Sequence, residues 1–370
     1  MRIGIITFYR SKDNYGQLLQ CYALQRFLKK QSHSPYLILY CNTPKESTKS
    51  VGRWNKFVDY IVHFKTYVDL FFIQRKERFY NQTAQNEQRH FSDFINKYID
   101  VSEQNYTDDL LQQNPPLADA YICGSDQIWG GDFAYYLNFA PPTTKRIAYA
   151  ASFGGVNSFS IEYEDELRRL LGKFSMLGVR EQSGVNTCLR LGAKHAMKVV
   201  DPTLLLEARD YDMLRTNVAP KEKYIFVYLL GNPIAMKMKE VYQFAKEKRM
   251  KVVYVASQGQ YDKYPKTWAT IGDWIDYIAN AECVITNSFH CTVFALHYSV
   301  PFVSVPLVGN YERMNTRINE LLEVCNLSHR IYNGSLKEVI QSSISFEGFK
   351  DYLKKESEQS SQLLLSSLEI

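Results

Sequence analysis

Short, continuously apolar runs recur along this chain, each followed by a polar loop and then an amphipathic stretch. No other feature restricts the fold as strongly. "MRIGIITF" (1–8) is apolar throughout, as a strand buried on both faces must be. The polar loop Tyr9–Asn14 follows, then "YGQLLQCYALQRFLKK", in which Leu18, Leu19, Tyr22, Leu24 and Phe27 suit a helix; "YLILYC" reads as the next strand. Further strands are expected at Ala120–Cys123, Arg146–Ala151, Met176–Val179 and Lys198–Val200. The second half repeats the pattern with strand 224–230, helix 233–248, strand 251–257 and helix 273–281. Strands alternating with helices make parallel sheets, and 370 residues are enough for two of them. The expected fold class is therefore α/β, with two Rossmann-like domains built on parallel sheets. They are placed at residues 1–205 and 223–345, with a helical insertion at about 51–100 and a C-terminal helix or tail at 346–370.

The segment "ITNSFHCTVFALHY" (285–298) tests this scheme. From Cys283 to Tyr311 there is no Asp, Glu, Lys or Arg, which is one signature of a membrane helix. Asn287, Ser288, His290, Pro301 and Pro306 argue against that, because lipid leaves polar groups and helix breaks unsatisfied. A strand (Val284–Thr286), a polar elbow (Asn287–His290), a buried helix (Thr292–Tyr298) and a strand (Phe302–Val305) fit instead. The elbow then falls where a parallel sheet presents its ligand crevice.

Composition narrows the classes further. Hydrophobic residues at 45% and charged residues at 22% are those of a soluble globular protein. A net charge of +5 is mild at this length and fits anionic substrates or an anionic membrane surface as easily as nucleic acid, so it decides little. The run Ile3–Phe8 is too short for a signal peptide, and seven cysteines without a Cys-x-x-Cys pair point to free thiols in a reducing compartment. The expected location is cytoplasmic. Between residues 53 and 80, Trp54, Phe57, Ile61, Phe64, Val68 and Phe71 recur at helical spacing beside several basic residues. Packing on its own domain is the ordinary reading of such a helix. Docking at the inner face of a membrane is the alternative.

Candidate chemistry should follow the strands. Asn14 and Tyr15 come after the first, before a helix whose free N–H groups suit an oxyanion. "GSDQIWGGD" after 120–123 offers Asp126 as a proton acceptor, Gln127, and Trp129 as a platform for a sugar face; a capping Asp with a core Trp is the alternative. "ASFGG" after 147–151 is a short loop that could close over a ligand. After 176–179, Arg180 and Glu181 stand at a helix start, which already favours anions; an Arg there suggests convergence on a bound anion, and a surface Arg–Glu pair is the ordinary alternative. Asp201 in "VVDPT" is either a turn residue or a catalytic carboxylate. His290 lies at the strand-to-helix elbow, His297 deeper in the helix, and Arg313 and Arg317 in the next predicted helix. The histidines lack metal-site spacing, so no metal is expected, and neither G-x-S-x-G nor a phosphate-binding loop is present. Nucleic-acid binding is not expected, since aromatic and basic residues do not interleave as in RNA-binding sheets.

The blocks "NYGQLLQ", "ICGSDQIW", "YAASFG", "LGVRE", "VVDPTLLL" and "TNSFHCTVFAL", in this order, resemble the polysaccharide pyruvyl transferase family over residues 1 to about 325. The resemblance implies a glycosyltransferase-B-like arrangement and transfer of a pyruvyl group from phosphoenolpyruvate, the donor substrate, to a sugar as a ketal, with no cofactor. It further implies that Arg180 and His290 hold phosphoenolpyruvate and that Asp201 is a site carboxylate. Ser288 stands where many members have a basic residue and Cys291 where Gly is frequent; Arg317 or Arg313 is expected to supply the missing charge. Ser288 and Thr292 are further donor contacts. His290 is the expected acid or phosphate ligand, and Asp201 or Asp126 the base. Asn14, Tyr15, Gln127 and Trp129 are expected to meet a glycan or lipid-linked saccharide acceptor. A nucleotide-sugar glycosyltransferase of the same fold is the alternative, although the absence of acids between Glu282 and Glu312 counts against a carboxylate grip on ribose. A non-catalytic glycan-binding module is the remaining rival.

Overall fold

The computed structural model describes residues 1–10, 13–41, 75–83, 89–156, 158–231, 234–257 and 259–369, apart from the side chains of residues 310, 311 and 313. The apolar helix expected within 53–80 lies outside these residues except for a helix at 75–83. Eleven strands form two wholly parallel sheets among the described residues.

The first sheet has the order β3-β2-β1-β4-β5-β6-β7. Its strands are β1 (Arg2–Ile6), β2 (Ser34–Tyr40), β3 (Val101–Tyr106), β4 (Ala120–Cys123), β5 (Lys145–Ala151), β6 (Met176–Val179) and β7 (Ala196–Lys198). The second has the order β11-β10-β8-β9, from β8 (Tyr224–Tyr228), β9 (Lys251–Tyr254), β10 (Cys283–Thr286) and β11 (Phe302–Ser304). In each sheet the strand order reverses at one point, between β1 and β4 and between β8 and β10. Chain leaving neighbouring strands there departs to opposite faces, which opens a crevice at the strands' carboxyl ends. The apolar strands are buried throughout β4, β6, β8 and β10, as parallel sheets covered on both faces require.

Two differences from the sequence expectation have clear causes. Strand β3, "VSEQNY", was not expected, because only two of its six residues are buried and it lies at a sheet edge. The strand expected at Lys198–Val200 ends instead at Lys198, so Asp201 caps a short turn, Pro202–Leu204, rather than closing a strand.

Helix α1 (Tyr15–Lys30) follows β1 and is almost wholly buried. Its first residue is the bolt between the two sheets. The Tyr15 ring stacks on Trp274 of α2 (Ile271–Ala279) at 5.2 Å, and its hydroxyl donates to the Ala269 carbonyl at 2.8 Å. One continuous apolar cluster therefore contains Ile3, Leu24 and Tyr149 from the first half and Phe226, Trp274 and Phe294 from the second. The tail is helix α3 (Glu347–Glu369), which buries Phe349, Leu364 and Leu368 in that same cluster. It is tied to the first sheet where Lys145 donates to the Leu368 carbonyl at 2.7 Å and Ser360 accepts from the Val200 amide at 3.1 Å.

Candidate active site

Both strand-order reversals open onto one cavity of about 690 Å³. Asn14, Gln17, Asp126 and Gln127 line it from the first sheet, and Ser288, Phe289 and His290 from the second. Asn287 fixes the second wall: its amide accepts from the Leu230 N–H at 2.7 Å and donates to the Leu230 carbonyl at 2.8 Å, joining the ends of β8 and β10. Ser288 caps the helix Phe289–His297 by accepting from the Cys291 N–H. This helix and α1 thus bring two N-termini, each with partial positive charge, to the same space.

Behind His290 the charged groups converge on Asp201, which is buried and does not line this cavity. Its Oδ1 accepts from the Thr203 N–H and hydroxyl at 3.0 and 2.7 Å. Its Oδ2 accepts from the Ser125 hydroxyl at 2.7 Å and from Arg180 Nη1 at 3.2 Å, and lies 3.5 Å from His290 Nε2. Burial alone would raise the Asp201 carboxyl; the nearby His290, with Arg180 and the Ser125 hydrogen bond added, holds it far below the usual carboxylate range. Both Asp201 oxygens are engaged, so its geometry suits it to orienting Arg180 and His290.

Asp126 is the opposite case. It adopts φ +87°, a conformation that costs a non-glycine residue energy. One carboxylate oxygen accepts from the Gln127 N–H at 2.8 Å, while Oδ2 is buried with no partner. Arg180 Nε and Nη2, Glu181 Oε2 and His290 Nε2 are likewise buried without a hydrogen bond. Native proteins leave few such atoms, and a cluster of them marks a site shaped for something else.

Phe289 was not singled out from sequence, and it organises the cations. The Arg180 guanidinium lies 5.9 Å from its ring centroid and that of Arg317 lies 5.6 Å from it. Arg317 belongs to the helix Asn315–Val324 and forms no ion pair among the described residues. Burial, then the neighbouring Arg180 charge, push its guanidinium down to about 10, still protonated at neutral pH. Arg180 itself is raised despite its burial by Glu181 and Asp201. Beyond Phe289 and Arg317 a second cavity of about 520 Å³ is lined by Arg180 and Asp201, so Phe289 and Arg317 stand between the two spaces while Arg180 faces the second.

A sequence model described as polysaccharide pyruvyl transferase matches residues 14–307. The chain belongs to that family. Among solved structures it is similar to the UDP-GlcNAc 2-epimerase of Neisseria meningitidis bound to UDP-GlcNAc, with TM-score 0.50, 9% identity and coverage of 100% of this chain and 99% of the other. The UDP-GlcNAc 2-epimerase of Methanocaldococcus jannaschii in complex with UDP-GlcNAc and UDP gives TM-score 0.50, 12% identity and the same coverage. These likenesses show the fold, a glycosyltransferase-B-like pair of parallel sheets. No curated protein matches the chain significantly.

In this pyruvyl transferase family member the structure brings together Arg180, Asp201, Asp126, His290, Ser288 and Arg317, with Asn14 and Gln127 on the cavity wall. Three other expectations are corrected. Trp129 is fully buried and stacks on Tyr136 at 5.2 Å, so it is core and no sugar platform. Tyr15 is fully buried as the bolt on Trp274 and cannot meet an acceptor. The Thr292 hydroxyl donates back to the Ser288 carbonyl at 3.1 Å inside the helix, leaving it no reach to a donor. The Arg313 side chain lies outside the described residues. His297, expected in the core, packs against Tyr211, Phe294 and Phe349 and is 2.9 Å from the Thr203 carbonyl.

Gly16 has a role that its sequence neighbourhood only hinted at. A Cβ there would lie 2.1 Å from His290 Nδ1, so only glycine lets α1 approach the imidazole this closely.

Proposed function

We propose that this family member transfers the pyruvyl group of phosphoenolpyruvate to a sugar of a surface-polysaccharide precursor, forming a pyruvate ketal. The observation that supports the reading is the unpaired Arg317, beside the incompletely bonded Arg180, His290 and Asp126, where two helix N-termini meet. A donor carrying both carboxylate and phosphate needs such surroundings.

In this reading Arg317 and Arg180 clamp the donor's anionic groups, and Ser288 adds a polar contact beside the helix N-terminus. His290, whose Nε2 faces Asp201 at 3.5 Å, delivers a proton to the methylene carbon. The C2 centre becomes oxocarbenium-like, and one sugar hydroxyl attacks it, giving up its proton to Asp126. A second hydroxyl then displaces phosphate and closes the ring, so phosphoenolpyruvate and a diol give a ketal and inorganic phosphate. The reaction is redox-neutral and calls for no redox cofactor. Asn14 and Gln127, on the first-sheet wall, are the acceptor contacts.

Thermal protection separates this from a nucleotide-sugar enzyme of the same fold. Phosphoenolpyruvate is expected to raise the melting temperature, and UDP-GlcNAc to leave it unchanged. Phosphate release from phosphoenolpyruvate should then depend on adding a galactose- or mannose-terminated lipid-linked saccharide. Protection by UDP-GlcNAc alone would favour the rival. Among the described residues no helix is long and apolar enough to cross a membrane; in this reading a lipid-linked acceptor is met by peripheral contact at the inner membrane surface.

A further inference from the structure

The helix 75–83 and the segment after β9 enclose another cavity, of about 790 Å³, at the side of the cleft. Tyr261 lines both spaces, and Glu77 of the same helix lines the cleft, so the two adjoin. The wall is aromatic, formed by Phe79, Tyr261, Tyr264 and Trp268. These rings are not core: Phe79 is 72% exposed and the other three are half-buried. They are nevertheless braced from behind. Tyr80 meets Tyr261 and Trp268 at centroid distances of 5.3 and 5.1 Å, and the Arg89 guanidinium lies 4.4 Å from the Trp268 ring. Arg89 also donates to the Tyr80 hydroxyl at 2.7 Å and to the Ala256 carbonyl at 3.0 Å.

The cations at the rim divide into two kinds. Lys266 is paired with Asp262 at 2.5 Å. Arg75, Lys76 and Lys263 form no ion pair among the described residues, and Lys263 lies 6.0 Å from the Tyr264 ring centroid. A pocket for a purely apolar ligand has no use for unpaired cations, and a diffuse basic patch has no use for braced, accessible rings. Rings present faces that cover the C–H side of a pyranose, while guanidinium and ammonium groups hold oxyanions. We infer that this cavity is the remote part of the acceptor site and takes a saccharide bearing an anionic group beyond the sugar that reacts. The inference rests on the proposed pyruvyl transfer. The anion is a phosphate or diphosphate at the reducing end, or a carboxylate of a uronic acid; both suit the same unpaired cations, with Arg75 and Lys76 adjacent on the helix.

Titration calorimetry on the full chain tests this with one galactose-terminated disaccharide in three forms: neutral, carrying a 1-diphosphate, and ending in a uronic acid. The wild type is expected to bind one charged form about tenfold or more tightly than the neutral form. Which form gains identifies the source of the anion. The double variant Arg75→Glu/Lys76→Glu should erase that preference while keeping the neutral form's affinity. Phe79→Ala, at an exposed ring, should weaken all three forms together. Equal affinity for the three forms, a preference that survives charge reversal, or no binding of any form overturns the inference. Stabilisation by phosphoenolpyruvate is measured alongside. Its loss with the charge preference intact would refute the donor reading and leave the anionic-saccharide site standing.

Discussion

His290 and His297 share one helix, Phe289–His297, and meet opposite surroundings. His290 faces the cleft over Asp201, and replacing it with Asn removes the titrating group while keeping a polar side chain. His290→Asn is expected to melt normally and to lose about 10²- to 10⁴-fold in pyruvyl transfer, measured as steady-state phosphate release. Burial brings His297 down to about 4, against an ordinary value near 6.5. The unfolded chain therefore takes up this proton first as pH falls. The stability concerned is fully present above about 6.5 and is lost progressively towards pH 4, on the order of 3 kcal/mol. His297→Asn should be less stable at pH 7, still active, and less sensitive to pH across that window in denaturant melts. Arg317→Ala, which breaks no ion pair, should raise the KM for phosphoenolpyruvate about 10- to 100-fold with an unchanged melting temperature. Arg180→Lys keeps a charge but loses the planar fork, whose Nη1 meets Ser125 and Asp201 while Nε and Nη2 stay available to an anion, so both turnover and stability should fall. Charged residues at strand ends were legible in the sequence because a buried sheet leaves them few other places. Tyr15 and Trp129 were misread because an aromatic residue after a strand can close a core as readily as it can face a ligand, and local spacing does not tell which.

The contact between α1 and the helix Phe289–His297 depends on a missing methyl group. Gly16→Ala would place Cβ 2.1 Å from His290 Nδ1 and force the imidazole aside. The expected result is a kcat loss resembling that of His290→Asn with secondary structure retained, checked by circular dichroism beside the rate. Wild-type turnover of Gly16→Ala would mean that the imidazole's position is immaterial. The elements themselves were largely readable, since β4, β6, β8 and β10 are continuous apolar runs bounded by polar loops. Strand β3 was not, because its alternation is polar and its register comes from pairing with β2 across a bulge, a long-range fact that a short window of sequence does not hold. The Gly16–His290 contact was hidden for the same reason: it joins positions far apart in the chain.

Across the whole molecule, the apolar cluster that runs through both sheets and α3 makes the two halves one folding unit. Calorimetry should show a single transition despite two sheets; two resolved transitions would contradict this. Leu364→Ala, at a fully buried position in α3, is expected to cost about 2–5 kcal/mol and to lower that one transition. The bolt between Tyr15 and Trp274 has a mechanical consequence. Swinging the halves apart would pull two stacked, dehydrated rings into water and break the hydroxyl's bond to Ala269. The gap between the sheets is thus a fixed gauge: it selects substrates by the width they present on entry, and solvent viscosity should barely slow turnover, since no large body has to be dragged through water on each cycle.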